Sequence, residues 1–179
     1  NGMIDERDRI IIGNPHPKFR GGLHNNLRYK NWDLGISTSF AYDFDVYAGL
    51  QATLINLDGV FNVLKDVKDR WRSPENPGKG WIASSFHQTY LDREGNSDFV
   101  HNVSFLKVQN INLGYTFNKL NEIEYLRLSL SFQNPLMFTN YKYGNPEVNL
   151  YGNSATMLNY HRYDYPLTQS VAFGLNITL

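Results

Sequence analysis

Cysteine is missing from this sequence altogether. Disulfides, thiolate metal sites and thiol catalysis are excluded, and the compartment stays open. Net charge is missing too: 17 basic and 17 acidic side chains balance. A general nucleic-acid binder needs a basic face, so that class drops out. No stretch approaches the roughly 18 consecutive apolar residues of a membrane helix. The mean hydropathy of −0.46 does not exclude a membrane barrel, in which only alternate residues of each strand face lipid. No signal peptide opens the chain, which starts at Asn1 and reads as a mature segment or a piece of something longer. Catalytic constellations are absent as well. The histidines (His16, His24, His87, His101, His161) show no paired metal spacing, and no nucleophile elbow or phosphate loop occurs, so the segment reads as non-enzymatic.

What the chain has in quantity is aromatic side chains, 15% of its 179 residues, with 12 Tyr and 11 Phe. That length suits one domain with a core of its own. The last ten residues, Ser170 to Leu179, alternate strictly. Val171, Phe173, Leu175, Ile177 and Leu179 point one way, and Ala172, Gly174, Asn176 and Thr178 the other. Phe19 to Tyr29 alternates in the same manner, and Lys30-Asn31 reads as a tight hairpin turn. Trp32, Leu34, Ile36, Thr38, Phe40 and Tyr42 then share a face, opposite Asp33, Gly35, Ser37, Ser39 and Ala41. An aromatic stands at each end of that strand. Ten steps of about 3.3 Å, tilted by about 40°, span roughly 25 Å, the height of the apolar band of an outer-membrane barrel.

Further strands are expected over Ser104–Phe117 and Tyr125–Asn134. At Phe105-Leu-Lys-Val the first of these loses phase, which predicts a bulge or a strand end. Apolar spacing over Asn56–Arg72 predicts a short helix. The chain thus divides into a loop (1–18), a strand hairpin (19–42), a loop (43–103), a second hairpin (104–134), a loop (135–167) and a terminal strand (168–179). Short turns alternate with long loops, as in a bacterial outer-membrane barrel. A soluble secreted all-β module, such as a glycan-binding sandwich, could bury the same apolar face, but the alternation and the aromatic spacing do not follow from it. About five strands cannot close a barrel, since about eight is the minimum.

A series of short motifs carries a family resemblance. It runs Asn1-Gly-Met-Ile-Asp…Asp8-Arg9, Ile12-Gly13-Asn14-Pro15-His16-Pro17, Tyr29-Lys30-Asn31-Trp32-Asp33-Leu34, and Arg70-Trp71…Pro74-Glu75-Asn76-Pro77. Phe105-Leu106-Lys107…Asn110-Ile111-Asn112-Leu113-Gly114-Tyr115, Gln133-Asn134, Pro146-Glu147 and Tyr165-Pro166…Phe173 to Leu179 continue it. In this order the chain resembles the C-terminal barrel segment of SusC/RagA-type TonB-dependent transporters. The family usually ends on an aromatic where this chain has Leu179. The resemblance implies an all-β fold, the last five or so antiparallel strands of a 22-stranded transmembrane barrel, with long extracellular loops. It also implies a plug domain, the TonB complex acting through a part of the protein outside this chain, a SusD-like surface lipoprotein and surrounding outer-membrane lipid. The implied activity is energised import of oligosaccharide or peptide nutrients in a Bacteroidetes-type bacterium; a siderophore-type receptor would share the fold.

Candidate sites follow. Asn1, Asp5 and Asp8 have the spacing of the second half of a calcium loop, with Gly2 as turn glycine; the alternative is an Asn-Gly turn in a charged loop. Calcium is the one cofactor suggested. Trp71, Trp81, Tyr141, Tyr143, Tyr151 and Tyr160 could stack on a ligand or meet the lid lipoprotein, or pack loop against loop. Arg20, His24, Asn26, Arg28 and Asp33 are expected on the lumen or plug side. Trp32, Leu34, Ile36, Phe40, Tyr42, Val171, Phe173, Leu175, Ile177 and Leu179 are expected to face lipid.

Overall fold

The structure, a computed structural model, describes residues 9–57, 62–79, 82, 96–120, 123–147, 150, 152 and 158–178, with residues 118–120 by their backbone only. Its strands are β1 (Phe19–Tyr29), β2 (Trp32–Ala48), β3 (Val100–Leu120), β4 (Ile123–Thr139), β5 (Tyr160–His161) and β6 (Ser170–Thr178), with one α-helix, α1 (Gly49–Leu54). The sheet order is β1-β2-β3-β4-β6, and β5 pairs with β2. The long pairings β1–β2, β3–β4 and β4–β6 are antiparallel. Among the described residues the fold is all-β with a single α-helix. By internal contacts it forms two compact units: Pro17–Asp43 with Val103–Lys142 and Tyr165–Leu179, and Asn1–His16 with Phe44–Asn102 and Tyr143–Asp164.

The first unit is the sheet. Register keeps like faces together, because a slip of one residue would turn every side chain over. Leu27 stands across from Leu34 and Tyr29 from Trp32, while Asn26 faces Gly35 and Arg28 faces Asp33. The two-residue turn is Lys30-Asn31, with Lys30 in the left-handed region at φ 53°. Near the expected loss of phase in β3, the β3–β4 register shifts between Val108 and Asn110. The extra residue lies in β4, which advances from Leu136 to Gln133 while β3 advances from Val108 to Asn110, and Asn134 there has φ 49°. Val108 meets Leu136 before the shift and Ile111 meets Phe132 after it. The terminal strand pairs with β4 as its pattern requires, Leu128 with Leu175 and Leu130 with Phe173.

The second unit has a small core. Ala52, Ile55, Val67, Ile82 and Phe99 are buried together, with Tyr47, Leu57 and Leu64 packed against them. Here the structure corrects the expected helix over Asn56–Arg72. The α-helix is α1, upstream of it, and Lys65–Asp69 forms a 3₁₀ turn; residues 58–61 lie outside the described ones. A 3₁₀ turn places residues three apart on one side, so Leu64 and Val67 face the core without a longer helix. The six residues of α1 are too few for a stable isolated helix. Ala52 and the flanking Ile55 hold it through the core, and Thr53 Oγ1 donates to the Gly49 carbonyl at 3.0 Å.

The strands are also longer than expected. β2 runs on from Tyr42 to Ala48, β3 starts at Val100 rather than Ser104, and β4 covers Ile123–Thr139. In β2 the extension buries Phe44, Val46 and Ala48, past Asp43 at φ 57°. The acids Asp43 and Asp45, which read as the start of a loop, are held locally. Asp43 forms an ion pair with Lys18. Asp45 accepts from the Asn14 amide at 2.6 Å and from Asn102 Nδ2 at 3.2 Å.

Candidate functional site

Two faces of the sheet and a cluster in the second unit contain the candidate residues. On the apolar face Val171 is 65% exposed and Phe173 70%, and Leu175 and Ile177 are also exposed. Trp32 and Tyr42 are exposed on β2, and Leu34, Ile36 and Phe40 half-exposed; Leu179 lies outside the described residues. Aromatic groups stand at Trp32, where β2 begins, and at Tyr42, ten residues along it. Phe19 stacks on Tyr42 with ring centroids 4.9 Å apart. Trp32 meets Tyr115 edge-on at 4.6 Å, and Tyr115 meets Phe117 at the same distance. Water-facing sheets do not normally leave such a contiguous apolar surface bare.

The opposite face is polar and connected. His24 Nδ1 lies 2.7 Å from Ser37 Oγ, and Asn26 Nδ2 lies 2.9 Å from His24 Nε2. Arg28 is the cross-strand partner position of Asp33. Arg20 is exposed at the edge of this set. A cavity of about 290 Å³ is lined by residues that include Asn26, Arg28 and Asp33. The strongest contact on this face was not singled out from the sequence. Arg127 of β4 reaches over β3 to bind Asp33 of β2 in a two-pronged pair, with Nη1 2.6 Å from Oδ1 and Nη2 2.7 Å from Oδ2. Gly114 lies beneath the pair, and a Cβ there would collide with both partners. The planar guanidinium matches the carboxylate prong for prong, which lysine could not do. The available signal was Arg127 alone among Ser129, Ser131 and Gln133 on the polar side of its strand.

The described aromatic candidates each have their own surroundings. Tyr141, in the sheet unit, is only 6% exposed. In the other unit Tyr143 packs on the His101 ring at 5.0 Å, and burial pushes its phenol above the usual range, with Asp66 adding to the rise. Tyr160 stacks on Tyr47 at 5.0 Å. Trp71 is 37% exposed. Trp81 and Tyr151 lie outside the described residues, as do Asn1, Asp5 and Asp8 of the calcium-loop pattern. Among the described residues there is no cluster of three His, Cys, Asp or Glu able to hold a metal. A second pair that the pattern did not indicate is His161 with Asp164, Nε2 to Oδ2 at 2.5 Å. Burial lowers the imidazole pKa and raises that of the carboxyl. Gly144, at φ 140°, packs so closely on the His161 ring that a Cβ would fall 2.6 Å from it.

An antiparallel sheet with one apolar and one polar face has the pattern of a membrane-barrel wall. The particular wall is identified by comparison. No protein-family model matches the chain. TonB-dependent receptor P3 of Formosa agariphila is 30% identical over 186 residues, 99% of this chain and 18% of that protein. TonB-dependent receptor SusC of Bacteroides thetaiotaomicron is 28% identical over 83% of this chain and 14% of its own length. The chain thus spans under a fifth of either relative. Among solved structures, the RagAB peptide transporter matches 90% of the chain with a TM-score of 0.69 at 20% identity, covering 17% of that structure's chain. The RagAB peptide importer in its closed-closed state matches 98% at a TM-score of 0.66 and 19% identity, covering 20% of that chain. The resemblance to SusC-like TonB-dependent receptors holds over nearly the whole chain, and these relatives are receptors and transporters by name.

Proposed function

We propose that this chain is the closing segment of a 22-stranded barrel in a bacterial outer membrane, part of an importer of oligosaccharide or peptide nutrients. The observation that carries this is the exposed apolar face of the sheet, Val171 and Phe173 above all. In lipid that face needs no cover, and the aromatic groups at Trp32 and Tyr42 of β2 would suit the two membrane interfaces. The edge strands β1 and β6 would pair with strands outside this chain, because an open edge is untenable in hydrocarbon. The long connections would then lie outside the cell, where a SusD-like lipoprotein lid would meet them, with TonB supplying the energy from the periplasm. Arg20, His24, Asn26, Arg28 and Asp33 would line the lumen near the plug. Calcium bound by Asn1, Asp5 and Asp8 would order the first extracellular loop.

Fractionation of cells making the full-length protein tests the reading. The protein should pellet with outer membranes, require detergent for extraction and shift in gel mobility on boiling. Recovery as a soluble monomer would contradict it and favour a secreted glycan-binding module. Uptake assays with oligosaccharides, peptides and iron chelates then separate the cargo classes. An elemental signal for calcium that is lost in Asp5→Ala would support the metal site.

A further inference from the structure

The second unit holds a groove that none of the candidate residues anticipated. It is an open depression of about 480 Å³ beside the 3₁₀ turn Lys65–Asp69. Its floor is aliphatic: Leu57, Val63, Leu64 and Val67. The floor is also fixed. Val67 belongs to the buried core, Leu57 and Leu64 pack against that core, and the Leu64 amide donates to the Leu54 carbonyl at 2.8 Å. The rim is cationic: Lys65, Lys68, Arg70 and Arg72. The Arg70 and Arg72 guanidiniums bond backbone carbonyls of the same turn, Arg70 Nη1 to Val67 at 3.5 Å and Arg72 Nη2 to Lys68 at 2.5 Å. Those bonds position the two side chains and leave their charge uncompensated.

The acids of the turn do not neutralise this rim. Asp69 is taken by Lys79, with Nζ 2.9 Å from Oδ2. Asp66 is not among the lining residues, and among the described residues no carboxylate lines the groove. Among the described residues no ion pair engages any of the four rim cations. A concave apolar floor with a few convergent charges is the usual form of a ligand site. Sugar rings are recognised on aromatic faces, and among the described residues that line the groove none is aromatic.

We propose that this groove binds an acidic peptide, with an aliphatic side chain of the peptide on the Leu57–Val67 floor and flanking carboxylates on the four rim cations. The proposal rests on the importer reading and narrows its cargo to peptides. Arg70 and Arg72 would give the specificity, since a guanidinium held at its root can grip a carboxylate with two parallel bonds. Lys65 and Lys68 would add attraction that salt screens.

The test uses the purified full-length protein in lipid nanodiscs with fluorescein-labelled peptides, read by polarisation. The probe Asp-Glu-Leu-Asp-Glu should bind at least about tenfold tighter than its amide counterpart Asn-Gln-Leu-Asn-Gln, and lose most of that advantage at about 0.5 M salt. Replacing the central leucine by glycine should also weaken it. The double variant Lys65→Glu/Lys68→Glu, whose changes are at exposed positions, should lose about tenfold or more, and Val63→Asp on the floor should do the same. Equal binding of the acidic and amide peptides, or wild-type affinity in the folded double variant, overturns the proposal. So does tighter binding of fluorescein-labelled maltoheptaose at the same groove. Binding is read without transport. A protein that binds the acidic probe as described but is absent from outer membranes refutes the importer reading and leaves the groove standing.

Discussion

The two units of this chain handle apolar side chains in opposite ways. In the loop unit Phe99 is 2% exposed and closes a core with Ala52, Ile55, Val67 and Ile82. In the sheet unit the apolar residues of β6 lie open, beginning with Val171 and Phe173. Composition does not separate them, since both are rich in Leu, Val, Ile and Phe. The proposed membrane setting accounts for the difference: water drives the loop unit's side chains inward, whereas a sheet facing lipid would gain nothing by hiding them. The polar residues follow the same division. Asp33 and Arg127 find each other on the face away from the apolar one, whereas Asp45 ties chain segments together inside the loop unit.

Phe99→Ala should have the largest effect, about 3–5 kcal/mol from lost burial and a residual cavity. The damage should stay local: proteolysis and hydrogen exchange should rise across 44–102 while the boiled and unboiled gel positions remain those of the wild type. A collapse of the whole barrel would break the distinction between the units. Leu175→Arg comes next. A lipid-facing cation near the midplane costs about 2–4 kcal/mol, so membrane levels of the variant should fall while loop variants persist. Normal levels would count against the facing assigned to β6.

Arg127→Ala should cost about 1–2 kcal/mol, between the limits for exposed and buried ion pairs, because Asp33 would be left without its partner over Gly114. Arg127→Lys should recover only part of this, since one ammonium cannot span both carboxylate oxygens. Denaturant midpoints of the refolded barrel would give both values. Arg20→Ala, on an exposed side chain at the edge of the same face, should stay within about 0.5 kcal/mol. A loss as large as that of Arg127→Ala would show that the polar face contains a second load of paired charge.

The sheet was legible in the sequence because its signal is local. Period two in Trp32–Tyr42, Tyr125–Asn134 and Ser170–Leu179 fixes which residues share a face, and the face fixes the register. The lost phase near Phe105 lies beside the register shift at Val108–Asn110, whose extra residue is in the partner strand β4. The loop unit was less legible, because apolar residues there serve a core assembled from distant segments. Leu57, Leu64 and Val67 have a spacing that suits a helix, yet they reach Phe99 from an extended stretch and a 3₁₀ turn. Phe44 and Val46 were hidden behind Asp43 and Asp45, which look like a loop until their partners are known. The Asp33–Arg127 pair joins residues 94 positions apart, and nothing local announces it. The groove of Lys65, Lys68, Arg70 and Arg72 depends likewise on how its turn packs, although four cations over eight residues could have drawn notice.

The facing of the sheet can be measured directly. This segment has no cysteine, so single nitroxide labels can be placed at Phe173 and Leu175 on one face and at Ser129 and Ser131 on the other, in the full-length protein reconstituted in bilayers. Collision with oxygen, which concentrates in hydrocarbon, should exceed collision with a water-soluble nickel chelate at Phe173 and Leu175. The order should reverse at Ser129 and Ser131. Chelate-dominated exposure at Phe173 and Leu175, or the same balance at all four positions, would contradict a lipid-facing wall.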